Sequence, residues 1–353
     1  MEKIEYFKSG FFMKHDAVNC AYEHLQELFF DSSEKDVVLV QGPTGFGKTC
    51  LSEYLMREAY KNVDVMNEQV NELPMIYVEA DVLGGSKFSW KDFYSELLNA
   101  MGELQNIKIY GHPKIEGSNI GRKYLSQNRN EISLKRDFLS RVRDYGVKYI
   151  IVDEVQHIFK YGGQSGEKNM NILKGISNRS GCRFVGLGTY EISFSLDMSD
   201  QLARRVGIMD YPAYSIRRPG DVAKFSSAYS GLLAYMPIMM EPSLIKNAKA
   251  VFMGSCGCIG ILKEWLGRAL NMALKDKDKV LTVKHLDKTR LKNNQIKTIA
   301  EAIREGEAFF RQPGDDEIWD ILGGKPEKKR NNKPSSSRGK NPGQRSPTRD
   351  KVG

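Results

Sequence analysis

Short apolar runs recur along the first part of the chain, at residues 37–40 (VVLV), 75–78 (MIYV), 149–152 (YIIV), 184–187 (FVGL) and 208–211 (IMDY). Runs of this length, bounded by polar or turn-forming residues, predict β-strands buried on both faces. Between them apolar residues fall at helical spacing. Leu51, Tyr54, Leu55 and Ala59 mark one face, Phe93, Leu97, Leu98 and Met101 a second, and Leu134, Phe138 and Val142 a third. Strands alternating with helices predict a parallel sheet covered by helices on both sides.

The pattern changes elsewhere. Residues 103–133 are polar and turn-rich, longer than an ordinary connection, which suggests a functional loop or an irregular insertion. At residues 217–221 (RRPGD) a breaker precedes a plausible N-cap, and from there to about residue 310 helical spacing continues without a strand pattern. That stretch reads as a helical lid. Beyond it QPGDDEIWDILGG is an acidic and apolar island, and the remainder, almost without apolar residues, is expected to be disordered. The expected organisation is a helical segment at 1–35, an α/β core at 36–216, the lid at 217–311 and, at 312–353, a docking peptide followed by a basic tail.

Charge sharpens this division. The net charge is +9, yet residues 325–353 hold ten Lys and Arg against two acids, so the body is nearly neutral. A nucleic-acid surface on the body must therefore come from local clustering. The cysteines, Cys20, Cys50, Cys182, Cys256 and Cys258, are odd in number and scattered, which fits neither a disulfide framework nor a zinc site. With no signal-peptide pattern and no run of about 18 apolar residues, a soluble cytoplasmic protein without membrane association is expected.

One motif carries specific chemistry. Gly42, Pro43, Thr44, Gly45, Phe46, Gly47, Lys48 and Thr49 match G-x-x-x-x-G-K-[ST], directly after an apolar strand and before an amphipathic helix. Its glycines let backbone N–H groups close around phosphates at a helix N-terminus. Lys48 would reach the β and γ phosphates of ATP and the Thr49 hydroxyl would hold Mg²⁺, with Cys50 completing the nucleotide-binding run. A second strand ends in two acids, Asp153 for the metal and Glu154 to polarise water. A third ends at Gly188-Thr189, where Thr189 is either a sensor of the γ phosphate or a cap or turn residue. Arg204 and Arg205 lie side by side before the last strand, as phosphate-stabilising groups or as surface ion-pairing partners.

The order of these motifs resembles AAA+ ATPases. More narrowly, IIVDEVQHI, NILKGISN, FVGLGT and QLARRV resemble the TnsC/TniB family of transposition regulators, over roughly residues 10–275. The resemblance implies an AAA+ P-loop fold with a parallel five-stranded sheet between helices and a C-terminal helical lid. It also implies ATP-dependent assembly of a homo-oligomer, ring or filament, on double-stranded DNA. That assembly would link a target-selection protein to transposase subunits and come apart on hydrolysis. In this reading Lys48, Thr49, Asp153 and Glu154 form the site, Thr189 is the first sensor, and Arg204 or Arg205 acts across a subunit interface. At the second sensor the chain departs from Gly-x-x-Arg: the corresponding residues are Gly260-Ile261-Leu262-Lys263, so Lys263 would contact phosphate less firmly or not at all.

Phosphate contacts to duplex DNA are expected from Lys108, Lys114, Arg122, Lys123 and Arg129 in the long polar segment, with Lys135 and Arg136 opening the next helix; individually each also fits a solvated loop. Residues 315–322 (DDEIWDIL) suit a short helix that docks on a transposase or its companion, or one that packs back on the lid. Two other purposes stay open for such a chain: a replication initiator or helicase loader, and an ATP-gated adaptor that scarcely hydrolyses its nucleotide. The targeting partner, whether an RNA-guided complex or a DNA-binding protein, is equally open.

Overall fold

The computed structural model describes Ile4, Phe7 and residues 12–29, 35–61, 73–80, 88–103, 129–160, 164–195, 206–310 and 313–323. Strands β1 (Val37–Gly42), β2 (Met75–Glu79), β3 (Tyr149–Asp153), β4 (Arg183–Thr189) and β5 (Val206–Asp210) form one sheet in the order β2-β3-β4-β1-β5. Every pairing is parallel. Alternation along each strand then sends successive side chains to opposite faces. Val37, Leu39, Ile150 and Val152 enter one apolar cluster with Phe93, Leu97, Phe138 and Leu173, whereas Val38, Val40, Ile151 and Val185 enter another with Val18, Leu25, Leu51 and Leu55.

The first face is covered by α3 (Trp90–Glu103), α4 (Glu131–Asp144), α5 (Gln156–Phe159) and α6 (Gln164–Ser180), and the second by α1 (Asp16–Phe29) and α2 (Lys48–Tyr60). Helix α1 is thus tied into the sheet's second core through Val18, Ala21 and Leu25. Fully burying side chains of this kind is worth about 1.5–3 kcal/mol each. After β4 comes α7 (Glu191–Ser195). Strand β5 begins two residues before the apolar run expected at 208–211, because Val206 and Gly207 pair with Val37 and Val38 in spite of the glycine. Tyr211 extends this edge only by its N–H, which donates to Gln41 O at 2.7 Å.

The region after residue 216 contains α8 (Asp221–Ala234), α9 (Ser243–Lys246), α10 (Ala248–Ser255), α11 (Ile259–Lys275), α12 (Val283–Thr289) and α13 (Asn293–Phe309). One expectation is corrected here. No strand was read after residue 211, yet β6 (Met239–Met240) and β7 (Val280–Leu281) pair in parallel. Two-residue strands show no periodicity, so they leave no pattern to read. Phe225, Tyr229, Leu233, Trp265, Leu266 and Leu270 form the core of this region. The chain divides into two units, at residues 1–310 and 311–353. In the second, α14 (Asp315–Ile321) has an acidic first turn and no buried residue, with Ile318, Trp319, Ile321 and Leu322 all exposed.

Candidate nucleotide site

Strand β1 is buried along its whole length and delivers the chain at Gly42 into the loop before α2. Phe46 anchors that loop, packing edge-on against Tyr211 at 4.8 Å between ring centroids. Gly45 at φ +74° and Gly47 at φ +105° adopt left-handed backbone that a side chain would strain. Gly47 accepts the first helical bond of α2, from Leu51 N–H at 2.9 Å. Lys48, Thr49 and Cys50 then form the first turn of a 13-residue helix, where N–H groups lack intrahelical acceptors and anions are favoured.

These residues line a cavity of about 780 Å³ whose other walls are Glu154, Thr189 and residues of the N-terminal segment and the lid. Lys48 Nζ is bonded to Glu154 Oε1 and lies 3.9 Å from Asp153 Oδ1. Asp153 Oδ1 accepts the Glu154 N–H at 2.8 Å, and Oδ2 accepts the Tyr77 hydroxyl at 3.0 Å. Burial raises the Asp153 carboxyl above its ordinary value, only partly opposed by Lys48, by that N–H and by Tyr77. For Glu154 burial also acts upward, but the Lys48 ammonium and the Gln156 amide outweigh it and the pKa falls. The hydroxyl Oγ1 of Thr189 is buried without a partner among the described residues. A buried hydroxyl without a partner costs about 1–3 kcal/mol unless a ligand supplies one.

Thr49 is exposed at the cavity and Asp153 is buried beside Lys48. A hydroxyl and a carboxylate are hard oxygen donors, which is the set Mg²⁺ takes alongside phosphates and water. The residues therefore fit that ion.

Of the residues read from the sequence, Gly45, Gly47, Lys48, Thr49, Cys50, Glu154, Thr189 and Lys263 share the cavity wall, as does Thr44. Gly42, Pro43 and Phe46 are buried in the loop behind it. Arg204, Arg205, Lys108, Lys114, Arg122 and Lys123 lie outside the described residues. Arg129 bonds Asp137 and, at 3.2 Å, Ser133 Oγ, bracing the start of α4; Lys135 is half-buried and Arg136 exposed on that helix.

Several wall residues were not legible. Phe12, Met13 and His15 come from the segment before α1, and His15 is buried with Nδ1 3.2 Å from the Tyr214 hydroxyl. Burial pushes its pKa down to about 4, so the imidazole is neutral near pH 7. Nothing in the local pattern marks it. A signal did exist in α11, where Gly260, Lys263, Glu264, Gly267, Arg268 and Asn271 repeat at helical spacing opposite the buried Leu262, Trp265, Leu266 and Leu270. The α11 start also touches the phosphate loop directly, Gly260 N–H donating to Gly45 O at 2.9 Å.

A phosphate loop ahead of a helix, two acids at the end of a neighbouring strand and a five-stranded parallel sheet define the fold as that of AAA+ P-loop ATPases. Residues 31–196 match a protein-family model described as an AAA domain. Among solved structures, the ORC2 protein of Aeropyrum pernix in its ADPNP-ADP complexes is similar with a TM-score of 0.51 and 11% identity, over 83% of this chain and 73% of that one. The ADP form of the same protein gives a TM-score of 0.51 and 14% identity, over 81% and 71%. At such identities the likeness is one of fold. Comparison with curated protein sequences returned no significant match. Among the described residues no single helix is long and apolar enough to cross a membrane.

Proposed function

We propose that this chain hydrolyses ATP with Mg²⁺, that copies of it assemble on double-stranded DNA, and that the assembly regulates transposition. It would bring transposase subunits to sites chosen by a target-selection protein and come apart on hydrolysis. The observation that carries the nucleotide part is the convergence of Lys48, Glu154 and Thr189, whose buried hydroxyl has no partner among the described residues, on one cavity, with Asp153 Oδ1 3.9 Å from Lys48 Nζ behind it.

Here Lys48 is held by Glu154, and a triphosphate at the α2 N-terminus competes for the ammonium. Its transfer to phosphate releases Glu154 Oε1 to polarise a water. Thr189 Oγ1 donates to a γ-phosphate oxygen, satisfying a buried group that has no acceptor among the described residues. Thr49 and Asp153 would hold Mg²⁺, which when bound supplies the charge that neutralises the phosphate oxygens. Lys263 faces the same cavity from the lid. Arg204 or Arg205 would complete the site of a neighbouring copy.

Support for transposition comes from the resemblance of IIVDEVQHI, NILKGISN, FVGLGT and QLARRV to the TnsC/TniB regulators. DNA contact is assigned to Lys108, Lys114, Arg122, Lys123, Arg129, Lys135 and Arg136, of which Arg129 also braces the start of α4. The exposed apolar residues of α14 serve as the transposase-docking element. The likeness to ORC2, a likeness of fold, does not by itself favour a replication initiator. Steady-state ATP turnover with and without duplex DNA tests the reading. Turnover stimulated by DNA and lost in Glu154→Gln is expected; no turnover in either condition, or unchanged turnover in the variant, refutes it.

A further inference from the structure

Gln156 opens α5, and its side chain is buried. A buried amide needs partners at both ends. Its Nε2 donates to Glu154 Oε2, and its Oε1 accepts the Thr189 N–H at 3.3 Å. Only one orientation satisfies both neighbours, since a carboxylate accepts and an N–H donates. The side chain thus spans from the acidic end of β3 to the Thr189 end of β4. Gly188 makes room for it, because a Cβ there would stand 2.5 Å from Gln156 Oε1.

Glu154 is itself constrained. Its backbone sits at φ +50°, a left-handed conformation uncommon for a residue with a side chain. Lys48 holds Oε1 while Gln156 holds Oε2, so each carboxylate oxygen is engaged by one side chain in this state. Moving Lys48 to phosphate frees Oε1 alone.

We propose that Gln156 is a positioning residue for hydrolysis: its amide ties the Glu154 carboxylate to the Thr189 end of β4, so that the freed oxygen faces the phosphate that Thr189 contacts. In the step it serves, the water oxygen bonds to the γ-phosphorus, the bond to the β–γ bridging oxygen breaks, and Glu154 takes the water proton. The inference rests on the ATP-hydrolysis reading above.

Two variants of the full chain test it. Gln156→Glu keeps an acceptor for the Thr189 N–H but replaces the donor to Glu154 with a like charge, and Gln156→Met removes both bonds at similar length. ATP affinity is measured with a fluorescent ATP analogue, and kcat and KM by steady-state turnover across pH. Both variants should lower kcat by about tenfold or more with affinity within about threefold, as expected when a group acts in the transition state. A merely structural role through Thr189 would leave Gln156→Glu like wild type. A wild-type kcat in Gln156→Glu, or a loss confined to KM, overturns the proposal while leaving the ATPase reading intact. If Gln156→Met does not fold, Gln156→Glu alone decides. Absence of turnover in the wild type overturns both.

Discussion

Gly260 is where α11 meets the phosphate loop, and Gly260→Ala should part them. A Cβ at this position would lie 2.5 Å from Gly45 O, 3.0 Å from Gly45 C and 3.1 Å from Gly45 Cα. Those atoms are backbone and cannot swing aside as a flexible side chain would. To reach ordinary contact the start of α11 must withdraw by about 0.9 Å, which also breaks the 2.9 Å bond from Gly260 N–H to Gly45 O. The lost bond costs about 0.5–1.5 kcal/mol and the overpacking about 1–3 kcal/mol, of which alanine's helix propensity returns up to about 1 kcal/mol. A net loss of about 0.5–4.5 kcal/mol is expected in denaturant unfolding. Lys263 and Asn271 withdraw with the helix, so affinity for a fluorescent ATP analogue should fall about tenfold or more, equivalent to at least about 1.4 kcal/mol. Gly175→Ala is the control: among the described residues nothing lies within 4 Å of its Cβ, and the substitution in α6 should stabilise. An unchanged unfolding midpoint together with unchanged nucleotide affinity in Gly260→Ala would refute the reasoning.

Thr189→Val should separate stability from function. It removes a buried hydroxyl that has no partner among the described residues, so the nucleotide-free protein should melt at the same temperature or higher, while ATP turnover falls; a lower melting temperature with normal turnover would contradict the sensor role. Asp210 gives a pH signature. Burial pushes its pKa up to about 6, opposed by the Tyr190 hydroxyl and reinforced by Glu307. A carboxyl raised in the folded state contributes stability below its unfolded pKa that is lost as pH rises through the folded value. The melting temperature should therefore carry a downward step as pH rises from the ordinary carboxylate range through about 6, and Asp210→Asn, which retains an acceptor for Tyr190, should remove that step. Identical pH profiles for the two proteins would show that Asp210 does not titrate as described.

The sheet was legible because parallel strands covered on both faces must be apolar on both, and residues 37–40, 149–152 and 184–187 are nearly uninterrupted runs. Strand β5 was misplaced by two residues because Gly207 breaks the run and only the register with Val38 restores it. Strands β6 and β7 exist through pairing alone. For the site, the phosphate loop and the Asp153-Glu154 pair stand in continuous motifs and could be read directly. The remaining walls are assembled from far apart in sequence. His15 is fixed by Tyr214, and Gln156 acquires its role only when β4 brings Thr189 N–H beside it. Gly260 stands in the motif read for the second sensor, but its contact with Gly45 is a consequence of how the lid folds back.

In the proposed function, ATP held by Lys48 governs whether copies of this chain hold one another on duplex DNA. Electron microscopy of the protein with duplex DNA, in the presence of ATP, of a slowly hydrolysed analogue, or of ADP, tests it most directly. Closed rings or filaments along the DNA with ATP and the analogue, and none with ADP, are the predicted result. Monomers in every nucleotide state would contradict the account.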